Sequence, residues 1–290
     1  MDSDPRTVRV GDREILRVGL GGARWSITDP EDDGPAERLL ELAIEAGVTY
    51  LDTARAYTTR DGEAHNERLL RRVLDRIGAW DDVLVGTKGG HYRADDSFPI
   101  DASPASLRRD CERSLGALGR DRIDLYYLHF PDPQVPFAES VGALAELRSE
   151  GLVGEVGLCN VTTAQFREAL GIVPVAAVQN RMSPYAPVDT PLLALAAERG
   201  ASFFAYSPLG GTTPPVGADE LSPAALDAAR ERGVTTQTVL LAWLLGHGDH
   251  VAVVTGARRP TTLRASLRAV DLGLTVAEHD AIAADLAERW

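Results

Sequence analysis

Short apolar runs alternate along this chain with longer stretches in which apolar residues recur every three to four positions. The runs fall at 18–21, 48–51, 83–86, 123–128, 155–158, 176–178, 202–205 and 251–254. Runs of this length, bounded by glycine and polar residues, read as buried strands, and the stretches between them carry the period of amphipathic helices. In the stretch after Ser103-Pro104, a serine cap with proline in the first turn, Leu107, Cys111, Leu115 and Leu118 share one stripe. Leu70, Val73, Leu74 and Ile77 do the same earlier, Phe137, Val141 and Leu144 later, and Leu263, Leu267 and Val270 near the end. Eight strands, each followed by a helix, predict a parallel (β/α)8 TIM barrel, with a doubly wound open sheet as the alternative. The open sheet loses its best support at Gly19-Leu20-Gly21, because Arg24 stands where the third glycine of a dinucleotide fingerprint would fall. Ahead of the barrel, residues 7–18 form two alternating segments around Gly11-Asp12, an N-terminal β-hairpin. After the last barrel helix only DLGLTVAEHDAIAADLAERW remains, a short C-terminal tail with room for one helix. Neither a linker nor a composition shift divides 1–290, so a single α/β domain is expected.

Charge and composition narrow the function. A formal net charge of -13 argues against a nucleic-acid or anionic-membrane partner, since both need a basic face. The start, MDSDPRTVRV, has no apolar stretch of signal-peptide length, and no later run approaches the ~20 apolar residues of a membrane span, which places the protein in the cytoplasm as an expectation. The two cysteines, Cys111 and Cys159, have no metal-ligand spacing. His247, Asp249 and His250 in GHGDH do suggest a metal, but they precede the eighth strand, at the wrong end of a barrel for a site, and read as a solvated turn. No metal is expected.

Chemistry gathers where the strands stop, the face on which parallel barrels build their sites. The apolar runs are followed by Asp52, Lys88, His129, Asn160, Gln179 and Tyr206, and Tyr57 lies five positions past Asp52 in YLDTARAY. Lys88 is the only lysine among thirty Lys+Arg residues. A chain that uses arginine everywhere else keeps lysine where a compact, tunable ammonium is required. The four side chains are complementary: Asp52 holds Lys88, the Lys88 cation favours phenolate and so lowers the Tyr57 pKa, and His129 orients a substrate oxygen. Together they form a proton donor for a carbonyl under reduction. A metal-dependent barrel hydrolase is the first rival, but Asn160, Gln179 and Tyr206 are poor ligands.

The set Asp52, Tyr57, Lys88 and His129 resembles, in order and local context, the catalytic tetrad of the aldo-keto reductase superfamily. GLCN at 157–160 is similar to that family's nicotinamide-amide motif, with Cys159 where serine is usual, and VQN at 178–180 to its second amide contact. AYSPLGG at 205–211 resembles the segment whose tyrosine, here Tyr206, stacks on nicotinamide and whose backbone, with Ser207 and Leu209, wraps the pyrophosphate. VVTGARRP at 253–260 resembles the loop that grips the adenosine 2′-phosphate, which points to Gly256, Arg258 and Arg259, with Arg264 assisting. The resemblance implies NADPH/NADP+ as cofactor and reduction of a small-molecule aldehyde or ketone with Tyr57 as general acid. Asn160 and Gln179 would carry the amide contact, with Cys159 filling space. Ala265 and Ser266 stand where many relatives place adenine contacts. With so short a tail the substrate pocket should be open, its walls falling to Trp25 and Phe130. The stretch from His129 onward looks closest to a bacterial branch that includes pyridoxal reductases. The second rival, a nucleotide-binding sensor with little turnover, has the intact tetrad against it. Oligomeric state is not legible.

Overall fold

A computed structural model describes residues 4–211, 214 and 216–289. Strands β1 (Thr7–Val10) and β2 (Arg13–Leu16) form the expected antiparallel hairpin. The barrel strands are β3 (Val18–Gly21), β4 (Tyr50–Asp52), β5 (Leu84–Gly89), β6 (Ile123–Leu128), β7 (Val153–Cys159), β8 (Ala177–Arg181), β9 (Ser202–Tyr206) and β10 (Val251–Thr255). They are parallel and closed in the order β10-β3-β4-β5-β6-β7-β8-β9, so the chain is a (β/α)8 barrel and the open sheet is excluded.

The helices that close each unit are α1 (Gly34–Glu45), α2 (His65–Ile77), α3 (Pro104–Leu118), α4 (Phe137–Ser149), α5 (Thr163–Leu170) and α6 (Thr190–Glu198). A short α7 (Ala218–Leu221) then precedes α8 (Pro223–Arg232), α9 (Thr236–Leu245), α10 (Pro260–Leu267) and the appended α11 (Val276–Ala287). Ser103 caps α3 as expected, its hydroxyl accepting the Ser106 N–H at 3.3 Å, and Cys111 is fully buried in the core between helices and sheet. Ile77 is a correction: it is 40% exposed, so the buried stripe of α2 ends at Leu74. The GHGDH turn is another. His247 is half-buried, its ring 4.5 Å from Trp243 and 5.1 Å from His279, so packing at the end of α9 holds it.

Inside the barrel the two-residue period of strands sends Tyr50, Leu84, Leu125, Tyr127, Phe204 and Ala252 inward. Val8, Val10 and Ile15 of the hairpin join this layer and plug the N-terminal end. The plug is stitched on by Ser202 Oγ donating to the Arg9 carbonyl at 2.8 Å and by Arg13 Nη1 donating to the Val83 carbonyl at 2.9 Å. With one end closed, the same inward period delivers Asp52, Lys88, Cys159, Gln179 and Tyr206 to the other. The strand ends expected from apolar runs were therefore drawn too short. Asp52, Lys88, Gln179 and Tyr206 belong to the ladder itself, because a polar residue whose partners lie inside the barrel can still pair as part of a strand.

Candidate active site

Lys88 is fully buried. Its Nζ donates to Asp52 Oδ2 at 2.7 Å, to the Thr53 carbonyl at 2.9 Å and to the Tyr57 hydroxyl at 3.3 Å. The ammonium also lies 4.8 Å from the centre of the Tyr57 ring. Asp52 is satisfied from below as well: Gln179 Nε2 donates to Oδ1 at 2.8 Å and the Tyr50 hydroxyl at 3.3 Å. Tyr50 in turn meets the Tyr127 hydroxyl at 3.1 Å. His129 stands edge-on to Tyr57, ring centres 5.7 Å apart, and stacks on Phe130 at 5.2 Å. The structure thus brings Asp52, Tyr57, Lys88, His129 and Phe130 together.

Burial sets the protonation states. The Lys88 ammonium would be disfavoured by burial, but Asp52 and Tyr57 outweigh that and raise its pKa. For Tyr57 burial is the larger effect and pushes the phenol up to about 12, with Lys88 pulling the other way. This corrects the expectation of a net lowering. Burial, then the Lys88 charge, depresses His129 well below the ordinary histidine value. At neutral pH the site holds an ammonium, a protonated phenol and a neutral imidazole.

Beside this group opens a cavity of about 360 Å³. Asp52 and Tyr57 line it together with Tyr206, Ser207, Leu209 and Gly256. Asn160 links His129 to Tyr206, its Nδ2 donating to the His129 carbonyl at 2.9 Å and its Oδ1 accepting from the Tyr206 hydroxyl at 2.7 Å. Asn160 and Ser207 both have positive φ, +57° and +49°, a backbone cost that concentrates at binding sites. Cys159 is buried against Gln179 Oε1 at 3.8 Å, and burial pushes its thiol up, which leaves it inert.

Other expected residues lie elsewhere. Gln179 is 2% exposed and held by Asp52, so it supports the carboxylate. Trp25 is a packed core residue whose Nε1 donates to the Ala257 carbonyl at 3.0 Å, tying the first loop to the last. Arg264 is exposed and lines a groove with Glu14 and Ala46, away from the cavity. Thr262 and Ser266 occupy the face of α10 that lines the cavity. Arg258 and Arg259 are exposed, and Arg258 borders a side pocket with Arg24 and Trp25. Arg24 lines both that pocket and the cavity, and its buried Nε has no partner. Sequence reasoning met Arg24 only as a missing glycine. Ser26, His65 and Asp33 align like a hydrolase triad, at 2.8 and 3.0 Å, but Ser26 is fully buried and its oxygen accepts from Asn66. Among the described residues no group of three or more His, Cys, Asp or Glu is placed to hold a metal ion, and no helix is long and apolar enough to cross a membrane.

A barrel with an ion-paired lysine beside a tyrosine at the edge of a cavity defines the class. Residues 17–286 match the aldo/keto reductase family, and the chain belongs to it. Pyridoxine 4-dehydrogenase from Escherichia coli is 30% identical over 93% of this chain and 94% of its own. Among solved structures, a glycerol dehydrogenase from Gluconobacter oxydans superposes with a TM-score of 0.83 at 25% identity, covering 99% of this chain and 97% of that one. An aldo-keto reductase from Klebsiella pneumoniae, solved in complex with NADPH, shares the fold with a TM-score of 0.81 at 24% identity, over 97% of this chain and 95% of that one.

Proposed function

We propose that this protein reduces an aldehyde or ketone to the alcohol with NADPH, and that Tyr57 is the general acid. The observation that carries the reading is the buried Asp52–Lys88–Tyr57 chain of contacts at 2.7 and 3.3 Å beside an open cavity. The lining of the cavity suits a nicotinamide nucleotide. It includes Tyr57, Tyr206, the positive-φ Ser207 and Gly256, and the unpartnered buried Nε of Arg24 is a donor suited to an anion. Tyr206, Ser207, Leu209 and Arg24 would hold the cofactor, together with Thr262 and Ser266. When bound, NADPH supplies the hydride.

The chain's own residues then do three things. Tyr57, protonated at neutral pH, donates to the substrate oxygen. Lys88, permanently charged beside it, stabilises the phenolate left behind, and Asp52 fixes the ammonium so that this charge is preorganised. His129, neutral, donates a second hydrogen bond to the same oxygen and orients the carbonyl. Phe130, stacked on His129, walls the substrate side. Pyridoxal is the first substrate to test, given the likeness to pyridoxine 4-dehydrogenase.

The test follows nicotinamide absorbance over a panel of aldehydes and ketones that includes pyridoxal. Turnover is expected with NADPH, and Tyr57→Phe should lower kcat by at least about 100-fold while NADPH affinity stays the same. Retained turnover in that variant removes Tyr57 from the acid role. Tight NADPH binding without turnover on any carbonyl would favour a nucleotide sensor instead.

A further inference from the structure

The acid proposed above sits on a loop, and its backbone is tied at both polar groups: the Tyr57 N–H donates to the Ala54 carbonyl at 2.9 Å and its carbonyl accepts the Asn66 N–H at 3.1 Å. The 3.3 Å contact of its side chain with Lys88 depends as well on what holds this loop against strand β5. Residues 91–100, just past Lys88, form a small hairpin with bridges at His91↔Ile100 and Ala94↔Ser97. Arg93 projects from it into the protein, its side chain only 5% exposed.

Every nitrogen of that guanidinium is used. Nε donates to the Asp95 carbonyl at 3.0 Å, within the hairpin. Nη1 donates to the Thr58 carbonyl, next to Tyr57, at 2.7 Å and to Asp29 Oδ1 at 2.9 Å, and Nη2 donates to Asp29 Oδ2 at 2.8 Å. Asp29 also accepts the Arg60 N–H at 2.6 Å, and the Arg60 side chain returns to Asp96 of the hairpin. The ring so closed joins the β3–α1 loop, the β4–α2 loop that carries Tyr57, and the hairpin after Lys88. Asp29 and Asp95 adopt left-handed backbone, φ +50° and +52°, which non-glycine residues keep only where the surroundings hold them. On the other flank the Arg55 N–H donates to the Lys88 carbonyl at 3.2 Å, and the Arg55 guanidinium lies 2.6 Å from Asp110, whose other oxygen accepts the Gly90 N–H at 3.1 Å.

We propose that Arg93 is a positioning residue that holds Tyr57 against Lys88, acting through its fork on Asp29 and the Thr58 carbonyl. The proposal rests on the reading of Tyr57 as the acid. Guanidinium geometry is essential to it, because a single ammonium cannot span both Asp29 oxygens and the carbonyl while also reaching Asp95. Besides burial, the groups that set the ionisation of Tyr57 are Lys88, Asp52 and Cys159, with His129 edge-on to its ring, and none of them is hydrogen-bonded to or ion-paired with Arg93.

Two variants test it, Arg93→Lys and the milder Asp29→Asn at a 41% exposed side chain that decides the matter if the first fails to fold. Both should bind NADPH, read by tryptophan quenching, within about 2-fold of the parent, while kcat falls by about 10-fold to about 100-fold, the range expected of a small misplacement. A second readout needs no substrate. Tyrosinate difference absorbance, with the Tyr57→Phe spectrum subtracted in each background, follows Tyr57 alone. As the loop opens to water its pKa should fall from about 12 toward the ordinary value of about 10. An unchanged Tyr57 titration in both variants overturns the proposal, even with kcat reduced. If Tyr57→Phe keeps its turnover, the acid assignment fails by itself, and the titration still decides whether Arg93 places the ring.

Discussion

A buried ammonium survives only when its charge is answered, and Lys88 is answered on every side. Asp52, the Thr53 carbonyl and the Tyr57 hydroxyl take its three protons, and the Tyr57 and Tyr127 rings stand at 4.8 and 5.9 Å. The space is cut for a compact cation. A guanidinium placed there is planar and larger and carries five donors for the same three acceptors. Lys88→Arg, conservative by charge, is therefore expected to lose at least about 100-fold in kcat, close to the loss in Lys88→Met. Carbonyl reduction by the two variants, measured side by side, checks this, and an active Lys88→Arg enzyme would reduce the residue to a mere positive charge. The chain's only lysine announced this site, and strand periodicity placed Asp52 and His129 beside it. The residues that hold Asp52 from below were not legible in the same way. Tyr50 and Tyr127 sit in apolar runs, where an aromatic gives no sign that its hydroxyl has a partner. Gln179 was noticed, but a motif cannot say which neighbour an amide serves. Arg264 was misplaced for a helical reason: Thr262 and Ser266 are four apart and share a face, while Arg264 lies about 200° around from Thr262.

Among the elements, the inward face of the barrel is fitted large against small. Tyr127 lies where Gly157 has no side chain, and a Cβ there would stand 2.3 Å from its ring. Tyr50 is accommodated in the same way by Gly86 and Gly19. Glycine in a strand usually marks a weakness or a close approach, and here it is the approach of the two tyrosines that support Asp52. Of these, only Gly86 stands at the end of an apolar run, 83–86, which is drawn shorter than its strand, Leu84–Gly89. Gly157→Ala should cost about 1–3 kcal/mol by overpacking, because the fully buried Tyr127 ring cannot move without leaving Tyr50. Gly116→Ala is the control. Gly116 is exposed on α3 with nothing within 4 Å of an added Cβ, so the change should stabilise by about 0.5–1 kcal/mol. Denaturant unfolding of both measures the difference, and the same sign in both would refute the fitting argument.

Over the whole molecule, catalysis and closure are assigned to opposite ends. The hairpin plugs the N-terminal end, the tetrad occupies the other, and α11 lies along α8 and meets α9 through His279 and Trp243, away from the cavity. Among the described residues, none beyond Ser266 lines that cavity. What α11 does supply is a cover for apolar surface, through fully buried Ile282 and Leu286, pinned by Glu278. That carboxylate accepts from Arg232 of α8 at 2.8 Å and from the Thr275 N–H and hydroxyl at 2.7 and 2.8 Å. Arg232 first, then Thr275, pulls its pKa down from 4.5 to about 2. A carboxyl group whose folded pKa is depressed stabilises fully above its unfolded value and loses that contribution as pH falls through the folded one. The docking of α11 should accordingly weaken between about pH 4.5 and about pH 2. Glu278→Gln removes the charge at every pH, so its melting temperature should lie below the parent's at neutral pH and converge on it through that window. Tryptophan fluorescence is a suitable probe, because the His279 ring of α11 stacks on buried Trp243 at 5.6 Å. A gap in melting temperature that stays constant as the pH falls would mean that Glu278 acts only as a polar cap and that its charge does not hold the helix.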